Sequence, residues 1–425
     1  MKNETDNILL MFFEKERWEY AIQKGVGKDI CKADLYRLTD PAFRMKICDA
    51  MMKGKYEIAP PHTAKIPKDK PGEFRTVYIN EPVDRIMLSI ANDLLFELMP
   101  EMVHSRCKSY LKGTGCGQVV QEVSRKIVQT EGECIGWKSD LSKYFDTVPV
   151  KYIDGAFDRV EEKYGHSVVI DVLRKYYHSD WYFDTETQEL VNKYQSLKQG
   201  CSVASWLADV ILYHIDEKIS KLDGYYIRYS DDMLFVGNDA KKAMSILESE
   251  LALMNMKLNP NKVDDLYHGH WFKFLGFSIK DDMISLSEKR IKTFQKEIES
   301  RTINKRDVTF EKSVNAVNRY LYKGNGEFSW ATQILPIVNV KNDINELNKF
   351  VMDCLRAVKT GKTEIGGLGY AEMKQDGCIL RGRGRNVLAN ILKTNIRIDG
   401  YYSIGCMQNA LVTSKEAYKT LVSAL

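Results

Sequence analysis

Cysteine pairs, long apolar runs and a secretory leader are all missing from this 425-residue sequence. Its nine cysteines are scattered and no two form a C-x-x-C pair, so neither a zinc site nor a disulfide framework is indicated. No stretch approaches the roughly 20 apolar residues that a transmembrane helix needs. The first residues lack the basic and apolar regions of a signal peptide. These absences predict a protein of the reducing cytoplasm that has no contact with a membrane.

Two catalytic signatures are also missing. The sequence contains no Gly-x-Ser-x-Gly motif, so nothing supports an acyl hydrolase. Gly361-Lys-Thr363 imitates the end of a phosphate-binding loop, but Arg356 stands where that motif requires glycine. His268-Gly-His270 has no further metal ligand nearby in the sequence, which favours a turn over a metal site.

Positive charge is concentrated in the C-terminal third. The whole chain carries a net charge of +4, whereas residues 290–425 hold 22 Lys and Arg against 13 Asp and Glu, a net +9. This distribution predicts a surface that contacts phosphates, with a solvated basic helical surface as the alternative. Arg381, Arg383 and Arg385, separated by single glycines, suit RNA phosphates or bases, although an exposed turn explains them as well.

Hydrophobic periodicity predicts helices that alternate with a few strands. Helices are expected over residues 7–55, 84–99, 116–130, 151–178 and 202–221. Strands are expected around Thr63–Pro67 and Arg75–Ile79, before Asp140, and in a hairpin over residues 224–237. Beyond Phe277 the pattern is mainly helical. An α+β core followed by an all-α domain is the fold class that this order indicates.

Carboxylates lie at the predicted ends of two strands. Asp231 and Asp232 fall at the tip of the hairpin, where adjacent like charges usually imply a cation, although aspartate is also common in plain turns. Asp140 ends an earlier strand. Two divalent ions about 3.5–4 Å apart can catalyse phosphoryl transfer, and carboxylates from two neighbouring strand ends can bridge such a pair. Asp146 is better explained as a helix cap.

Five motifs, in this order, resemble those of the reverse transcriptase family over roughly residues 60–280. They are Asp140 with Phe145, Gln199-Gly200 with the helix after it, Tyr229-Ser-Asp-Asp232, Leu258-Asn-Pro-Asn-Lys262, and Phe274-Leu-Gly-Phe277 as a primer grip. Upstream, Lys68, Arg75 and Val83-Asp-Arg-Ile86 match the fingers. The resemblance implies a right-hand polymerase with a helical segment over residues 1–55, fingers and an antiparallel palm sheet over 56–280, and a helical thumb with a C-terminal extension over 281–425.

The resemblance also assigns roles to individual residues. The catalytic set is Asp140, Asp231, Asp232 and Lys262. Two Mg²⁺ ions, with Mn²⁺ as a possible substitute, would be bound by Asp140, Leu141, Asp231 and Asp232. The substrate-binding set is Lys68, Arg75, Leu141, Phe145, Gln199, Gly200 and Tyr229. The nucleic-acid-binding residues implied by the resemblance are Phe274 and Gly276, to which the chemistry of Arg381, Arg383 and Arg385 adds three more.

Side-chain chemistry agrees with several of these roles and leaves alternatives open. Gly200 lets the backbone approach a nucleotide, or forms an ordinary turn before a helix. Phe145 would pack under the sugar and exclude a 2′-hydroxyl, which favours dNTPs, or is a core aromatic residue. Arg75 can bind phosphate oxygens in a bidentate manner, and Lys68 acts as a point charge. Lys262 could donate a proton to pyrophosphate, or be a solvated surface lysine.

The sequence departs from the family pattern in two places. After Gln199-Gly200 it reads Cys201-Ser-Val-Ala-Ser205 instead of the Ser-Pro-x-Ser-Pro of many bacterial relatives, and Ser109–Gly115 matches the intron-encoded pattern only loosely. The compact outline resembles the defence-associated "unknown group" enzymes of bacteria, which are related to abortive-infection reverse transcriptases. That resemblance implies copying of an RNA template, expected to be a structured partner noncoding RNA, into DNA from dNTPs in antiphage defence.

Two other functions stay open at this point. One is protein-primed or untemplated DNA synthesis of the abortive-infection type, with Tyr401, Tyr402 or Tyr418 as the priming hydroxyl. The other is a catalytically inactive RNA-binding scaffold. The intact aspartates argue against a scaffold, because a protein that only binds a polyanion has no need of clustered carboxylates.

Overall fold

The computed structural model describes residues 5–25, 30–68, 72–111, 113–305, 309–323, 329–360, 364–365 and 368–369. These residues belong to two compact units, one within 1–114 and 131–267 and the other within 115–130 and 268–425. The predicted domain boundaries after residues 55 and 280 stay predictions. The seven cysteines in the described residues form no disulfide bonds with one another. No helix among those residues is both long enough and apolar enough to cross a bilayer.

The described residues form α-helices in every predicted helical segment, and two further helices, over residues 144–147 and 240–253, were not predicted. Their bounds are α1 Asn7–Phe12, α2 Lys15–Gly25, α3 Lys32–Thr39, α4 Pro41–Met52, α5 Pro82–Leu98, α6 Cys116–Gln129, α7 Tyr144–Thr147, α8 Val150–Tyr164, α9 Val168–His178, α10 Val203–Val210, α11 Tyr213–Ile219, α12 Ala240–Leu253, α13 Glu288–Arg301, α14 Phe310–Asn318, α15 Trp330–Gln333 and α16 Lys341–Thr360. Short 3-10 turns cover Pro100–Met102 and Pro260–Lys262, and a π-helical turn covers Arg319–Lys323.

The strands are short and mostly antiparallel. Their bounds are β1 His62–Pro67, β2 Phe74–Ile79, β3 Cys134–Asp140, β4 Trp181–Asp184, β5 Glu189–Asn192, β6 Tyr225–Tyr229, β7 Asp232–Val236, β8 Asp264–Tyr267, β9 Phe272–Phe274, β10 Phe277–Lys280, β11 Met283–Leu286, β12 Glu364–Ile365 and β13 Leu368–Gly369. Strands β4, β5 and β8 to β13 were not predicted, because two to four residues are too few to establish a period of two.

The first unit contains two four-stranded sheets. The fingers sheet has the order β2-β1-β4-β5, and its single parallel join pairs His62 with Phe183. The palm sheet has the order β6-β7-β3-β8 and is antiparallel throughout. Helix α5 packs against α2 and α10 beside these sheets, and the fully buried Trp206 of α10 stacks on Phe157 of α8. These helices share one buried core with the palm strands.

The second unit has a three-stranded sheet in the order β11-β10-β9, against which α6 packs. Helices α13, α14 and α16 follow, so the region after Phe277 begins with strands and then becomes helical. Helix α16 has an apolar stripe that is buried at Ile344, Leu347, Val351 and Leu355 and half-buried at Val358. The chain is therefore a mixed α+β protein, as predicted.

Candidate active site

The three candidate catalytic aspartates lie at one edge of the palm sheet. Asp140 is the last residue of β3 and is paired with Asp232, the first residue of β7. Ser230 and Asp231 connect β6 to β7 and are called here the catalytic turn. The Leu141 N–H donates to the Asp231 carbonyl at 3.3 Å, which joins this turn to the end of β3. The spacing of the motifs predicted this meeting of strand ends.

The site holds uncompensated negative charge. Burial, followed by the charges of Asp231 and Asp140, raises the pKa of Asp232 to about 7. Burial and the Asp140 charge also raise the pKa of Asp231. Neither Asp231 nor Asp232 forms an ion pair within the described residues. Crowded carboxylates of this kind are the oxygen donors that a hard divalent cation prefers, so the donor set fits a metal site.

Lys262 lies in this site and not on a remote surface. Its ammonium group donates to the Asp140 carboxylate at 2.6 Å. The 3-10 turn that carries Lys262 is anchored by the Asn259 N–H, which donates to the Asp140 carbonyl at 2.8 Å. Burial alone would lower the pKa of Lys262, but the bond to Asp140 and the neighbouring aspartates outweigh it and raise that pKa. Its proton-donor role stays a prediction.

The carboxylate oxygens of Asp140, Asp231 and Asp232 do not all lie within 4.8 Å of one another. Among the described residues, only Glu161, His166 and Asp171 bring three ligand atoms within 4.8 Å of one another. That group is an exposed ion-pair cluster, in which Glu161 also bonds Arg174 at 2.8 Å. In the candidate active site, like charges repel one another and Lys262 draws Asp140 towards itself, which explains the wider spacing.

The fingers hairpin brings positive charge towards the aspartates. Arg75 lies on β2 opposite Ile66 of β1, and its side chain is exposed. The positive charge of Arg75 opposes the upward pKa shift that burial and Asp140 cause at Asp231. Burial likewise raises the pKa of Asp146, against which Lys68 and Arg75 both act. Arg75 therefore lies within electrostatic reach of Asp231, and Lys68 within electrostatic reach of Asp146.

Helix α7 carries the candidate sugar-contacting residue. Phe145 is half-buried and lies edge-to-face on Tyr144, with ring centroids 5.6 Å apart. This position fits both of the roles predicted for it. Asp146 is the third residue of α7 and caps neither α7 nor α8, so that prediction was wrong, because residues 144–147 form a short helix that was not predicted. The Leu141 side chain is buried, which leaves only its backbone for binding a metal or substrate.

The Gln199-Gly200 segment lies against the fingers. The Tyr78 N–H of β2 donates to the Gln199 carbonyl at 2.7 Å. Gly200 has a φ of +108°, and a Cβ at this position would lie 2.8 Å from the Tyr78 carbonyl oxygen. A glycine is therefore required by the approach to β2, and contact with a nucleotide stays a prediction. Tyr229, the half-buried partner of Asp232 in the sheet, is similarly placed beside the site.

The predicted primer grip lies in the second unit. Phe274 is only 4% exposed, so its side chain belongs to the sheet core and contact with a nucleic acid would use the backbone. Gly276 has a φ of +80°, and a Cβ there would lie 2.5 Å from Nη2 of Arg290. His268-Gly-His270 forms the predicted turn, in which His268 bonds Asp281 at 2.9 Å.

Several predicted residues lie outside the described part of the chain. They are Gly361-Lys-Thr363, Arg381, Arg383, Arg385, Tyr401, Tyr402 and Tyr418. The predictions made for the three arginines and the three tyrosines therefore stay as the sequence left them.

A comparison with protein families decides the class of this site. The sequence profile of the family described as "Reverse transcriptase (RNA-dependent DNA polymerase)" matches residues 66–279, which is half of the chain. The chain belongs to the reverse transcriptase family. This reverse transcriptase is an RNA-directed DNA polymerase of the right-hand fold, which copies an RNA template into DNA, and its family generally uses divalent metal ions.

Two solved structures with weaker likeness are those of telomerases. One is telomerase from Candida albicans with a fragment of telomeric RNA, at 13% identity and a TM-score of 0.48, covering 92% of this reverse transcriptase and 68% of that chain. The other is apo telomerase from Candida tropicalis, at 11% identity and a TM-score of 0.48, covering 87% and 68% of the two chains. No curated protein matches the sequence.

Sequence reasoning missed the buried polar residues behind the catalytic turn. Ser109, Asp209, Asp216 and Arg228 are each fully buried in this reverse transcriptase and are bonded to one another or to the turn. The available signal was a charge inside an apolar run, as at Arg228 in Tyr-Tyr-Ile-Arg-Tyr. Such a charge is rarely buried without a partner, but the sequence does not name that partner.

Proposed function

We propose that Asp140, Asp231 and Asp232 hold two Mg²⁺ ions, and that this reverse transcriptase joins dNTPs to a primer by two-metal phosphoryl transfer. The observation that supports this most strongly is the pairing of Asp140 with Asp232 at one sheet edge, where the pKa of Asp232 is raised to about 7. When bound, such ions activate the attacking hydroxyl and neutralise the leaving oxygens, and Mn²⁺ could substitute for them.

The other residues of the site would bind and orient the substrate. Arg75 and Lys68 present positive charge to the triphosphate of the incoming nucleotide. Phe145, half-buried at the core edge, would lie under the sugar and exclude a 2′-hydroxyl. Gln199 and Gly200, held against β2, would support the base pair or the phosphates from the palm side.

Lys262 would protonate the pyrophosphate as it leaves. Its ammonium group is now bonded to Asp140, so it must release that carboxylate before it can face the substrate. In the resting protein the same bond offsets part of the charge of the aspartate cluster. The Leu141 backbone would complete the metal-binding set, since its side chain has no polar atom and is buried.

Alanine substitutions test this assignment. Asp231→Ala and Asp140→Ala should each abolish dNTP incorporation on a primed RNA template while the protein stays folded, because each removes a metal ligand and no core contact. Asp265→Ala is the matched control, since Asp265 is an exposed carboxylate on β8 of the same sheet. Undiminished synthesis by either site variant, measured with the fold checked by circular dichroism, would contradict the two-metal proposal.

We also propose that the template is a structured partner noncoding RNA, that the DNA product acts in antiphage defence, and that the enzyme works in the cytoplasm. The resemblance to the defence-associated group and the net +9 of residues 290–425 support this proposal. Sequencing the nucleic acid that copurifies with the enzyme tests it. One enriched structured RNA with complementary DNA is the expected result. Homopolymeric DNA attached to the protein would instead favour protein-primed, untemplated synthesis.

A further inference from the structure

A buried chain segment lies beside the strand that leads into the catalytic turn. Residues 106–108 pair in parallel with β6 at Arg228. The Lys108 N–H donates to the Arg228 carbonyl at 2.9 Å, and the Arg228 N–H donates to the Arg106 carbonyl at 2.9 Å. This pairing extends the edge of the palm sheet and places the next residue, Ser109, directly against the backbone of Ser230.

The hydroxyl of Ser109 holds one side of the catalytic turn. It accepts the N–H of Ser230 at 2.9 Å and donates its own proton to Oδ1 of Asp209. Because the proton of the hydroxyl points to Asp209, its lone pairs are directed at Ser230. Ser109 and Asp209 are both fully buried, so no water competes for these bonds. The carboxylate thus fixes the orientation of the group that binds the turn.

Arg228 holds the other side of the turn. Its Nη1 donates to the Ser230 carbonyl at 3.2 Å. Its Nε and Nη2 donate to Asp216 at 2.8 and 2.6 Å, and Nη2 also donates to the Asp209 carbonyl at 2.7 Å. The guanidinium is fully buried and planar, and these bonds leave it a single orientation. Both backbone groups of Ser230 are therefore bound to partners that cannot themselves rotate.

Ser230 needs this support because its backbone is in a disfavoured conformation. Its φ is +58°, in the left-handed region that side chains with a Cβ seldom adopt. The catalytic turn has only two residues, so a rotation about Ser230 would swing Asp231 and displace Asp232, which begins β7. The positions of two of the three carboxylates thus depend on groups that touch neither substrate nor metal.

We propose that Ser109, Asp209 and Arg228 are positioning residues that fix the left-handed turn at Ser230 and thereby set the metal-binding geometry of Asp231 and Asp232. The inference rests on the proposed function, because it assumes that these two aspartates bind divalent ions. It goes beyond that function in assigning part of the catalytic geometry to a polar network on the far side of the sheet edge.

Ser109→Ala is the central test. Removing the hydroxyl leaves the Ser230 N–H without a partner, which should favour other turn conformations by about tenfold. Amide hydrogen exchange in the peptide spanning the turn should then be about tenfold faster. Binding of Mn²⁺ to the full chain without nucleic acid, followed by electron paramagnetic resonance, should weaken by a similar factor. The kcat for dNTP incorporation should fall while the KM for dNTP stays constant, because no substrate contact is lost.

Ser313→Ala is the matched control. Ser313 is also fully buried, but its hydroxyl has no hydrogen-bond partner within the described residues. This variant should match the wild type in exchange, Mn²⁺ affinity and kcat. If Ser109→Ala matches Ser313→Ala in both exchange and Mn²⁺ affinity, the positioning proposal is wrong.

Two further measurements test the proposal if Ser109→Ala does not fold or if the proposed metal site is wrong. If Ser109→Ala fails to fold, Tyr110→Phe replaces it, since the Tyr110 hydroxyl contacts Oγ of Ser230 at 3.3 Å and its side chain is partly exposed. It should speed exchange two- to threefold, on the order expected for one weak hydrogen bond, and an unchanged rate overturns the proposal. If wild type and Asp231→Ala bind Mn²⁺ equally, the proposed metal site fails. Exchange at the turn still reports separately whether the network holds it.

Discussion

Two of the two-residue hairpin turns in this reverse transcriptase are stabilised differently. Ser230-Asp231 joins β6 to β7 in the palm, and Leu275-Gly276 joins β9 to β10 in the second unit. Only Ser230 has a positive φ in the first turn, whereas both residues of the second have one. The second turn uses glycine, for which a positive φ is easy, and the first uses hydrogen bonds to a serine.

Each turn also has an arginine bonded to its first carbonyl. Arg228 donates to Ser230 at 3.2 Å, and Arg290 donates to Leu275 at 3.4 Å. Arg228 is fully buried and paired with Asp216. Arg290 instead lies over the Phe277 ring at 4.4 Å, has no carboxylate partner within the described residues, and has its pKa lowered by burial. The same kind of hydrogen bond to a turn carbonyl is thus made by Arg228, whose charge a carboxylate neutralises, and by Arg290, which has no such partner in the described residues.

Replacing each arginine by methionine should reveal the largest difference between the two turns, in the free energy of unfolding. Arg228→Met leaves Asp216 buried without its partner and should lower the free energy of unfolding by about 3–5 kcal/mol. Arg290→Met loses a cation–π contact and one long hydrogen bond, a cost of about 1–2 kcal/mol. Urea unfolding followed by circular dichroism measures both, with separate transitions fitted separately. Equal losses would show that pairing with Asp216 does not distinguish the two arginines.

A smaller effect should appear in the pH dependence of stability. Burial raises the pKa of Asp209 to about 6, although Arg228 and Ser109 act in the opposite direction. The folded protein then holds a proton that the unfolded chain releases at its ordinary pKa of about 3.9, so this group lowers stability as the pH rises between those values. Asp209→Asn cannot ionise. Its stability relative to the wild type should therefore rise over that interval and stay constant above it.

Thermal unfolding between about pH 4 and pH 8 measures this difference. Ser313→Ala changes no ionisable group and serves as the control, with an offset from the wild type that does not vary with pH. A similarly constant offset for Asp209→Asn would mean that Asp209 titrates at its ordinary pKa, and that the charge of Arg228 fully compensates it. Burial behind the catalytic turn would then leave the pKa of Asp209 unshifted, as at an exposed hairpin.

The sequence predicted the aspartates at the catalytic turn but not the buried polar residues that fix the backbone of that turn. Asp140, Asp231 and Asp232 are local features, since each follows or begins an apolar run whose period marks a strand. Ser109 and Asp209 meet only because residues 106–108 pair with β6, a long-range contact. Periodicity reports which residues are buried and does not report their partners.

The fold shows the same division between local and long-range information. Most helices of eight or more residues were predicted, because several turns repeat the apolar pattern, but the 14-residue α12 was not. The strands β4 and β5, of four residues each, complete the fingers sheet through a parallel join that no local pattern specifies. Gly200 was singled out correctly as a residue that needs to be glycine. The close approach that requires it is to Tyr78, which a sequence read without contacts could not name.

The contact between Tyr78 and Gln199-Gly200 joins the fingers to the palm through main-chain atoms alone. The hydrogen bond between the Tyr78 N–H and the Gln199 carbonyl does not depend on either side chain, so sequence drift at both positions leaves the joint intact. Gly200 is the position where a mutation would force the two segments apart. Strand β2, which carries Arg75, is thus hydrogen-bonded directly to the Gln199 segment.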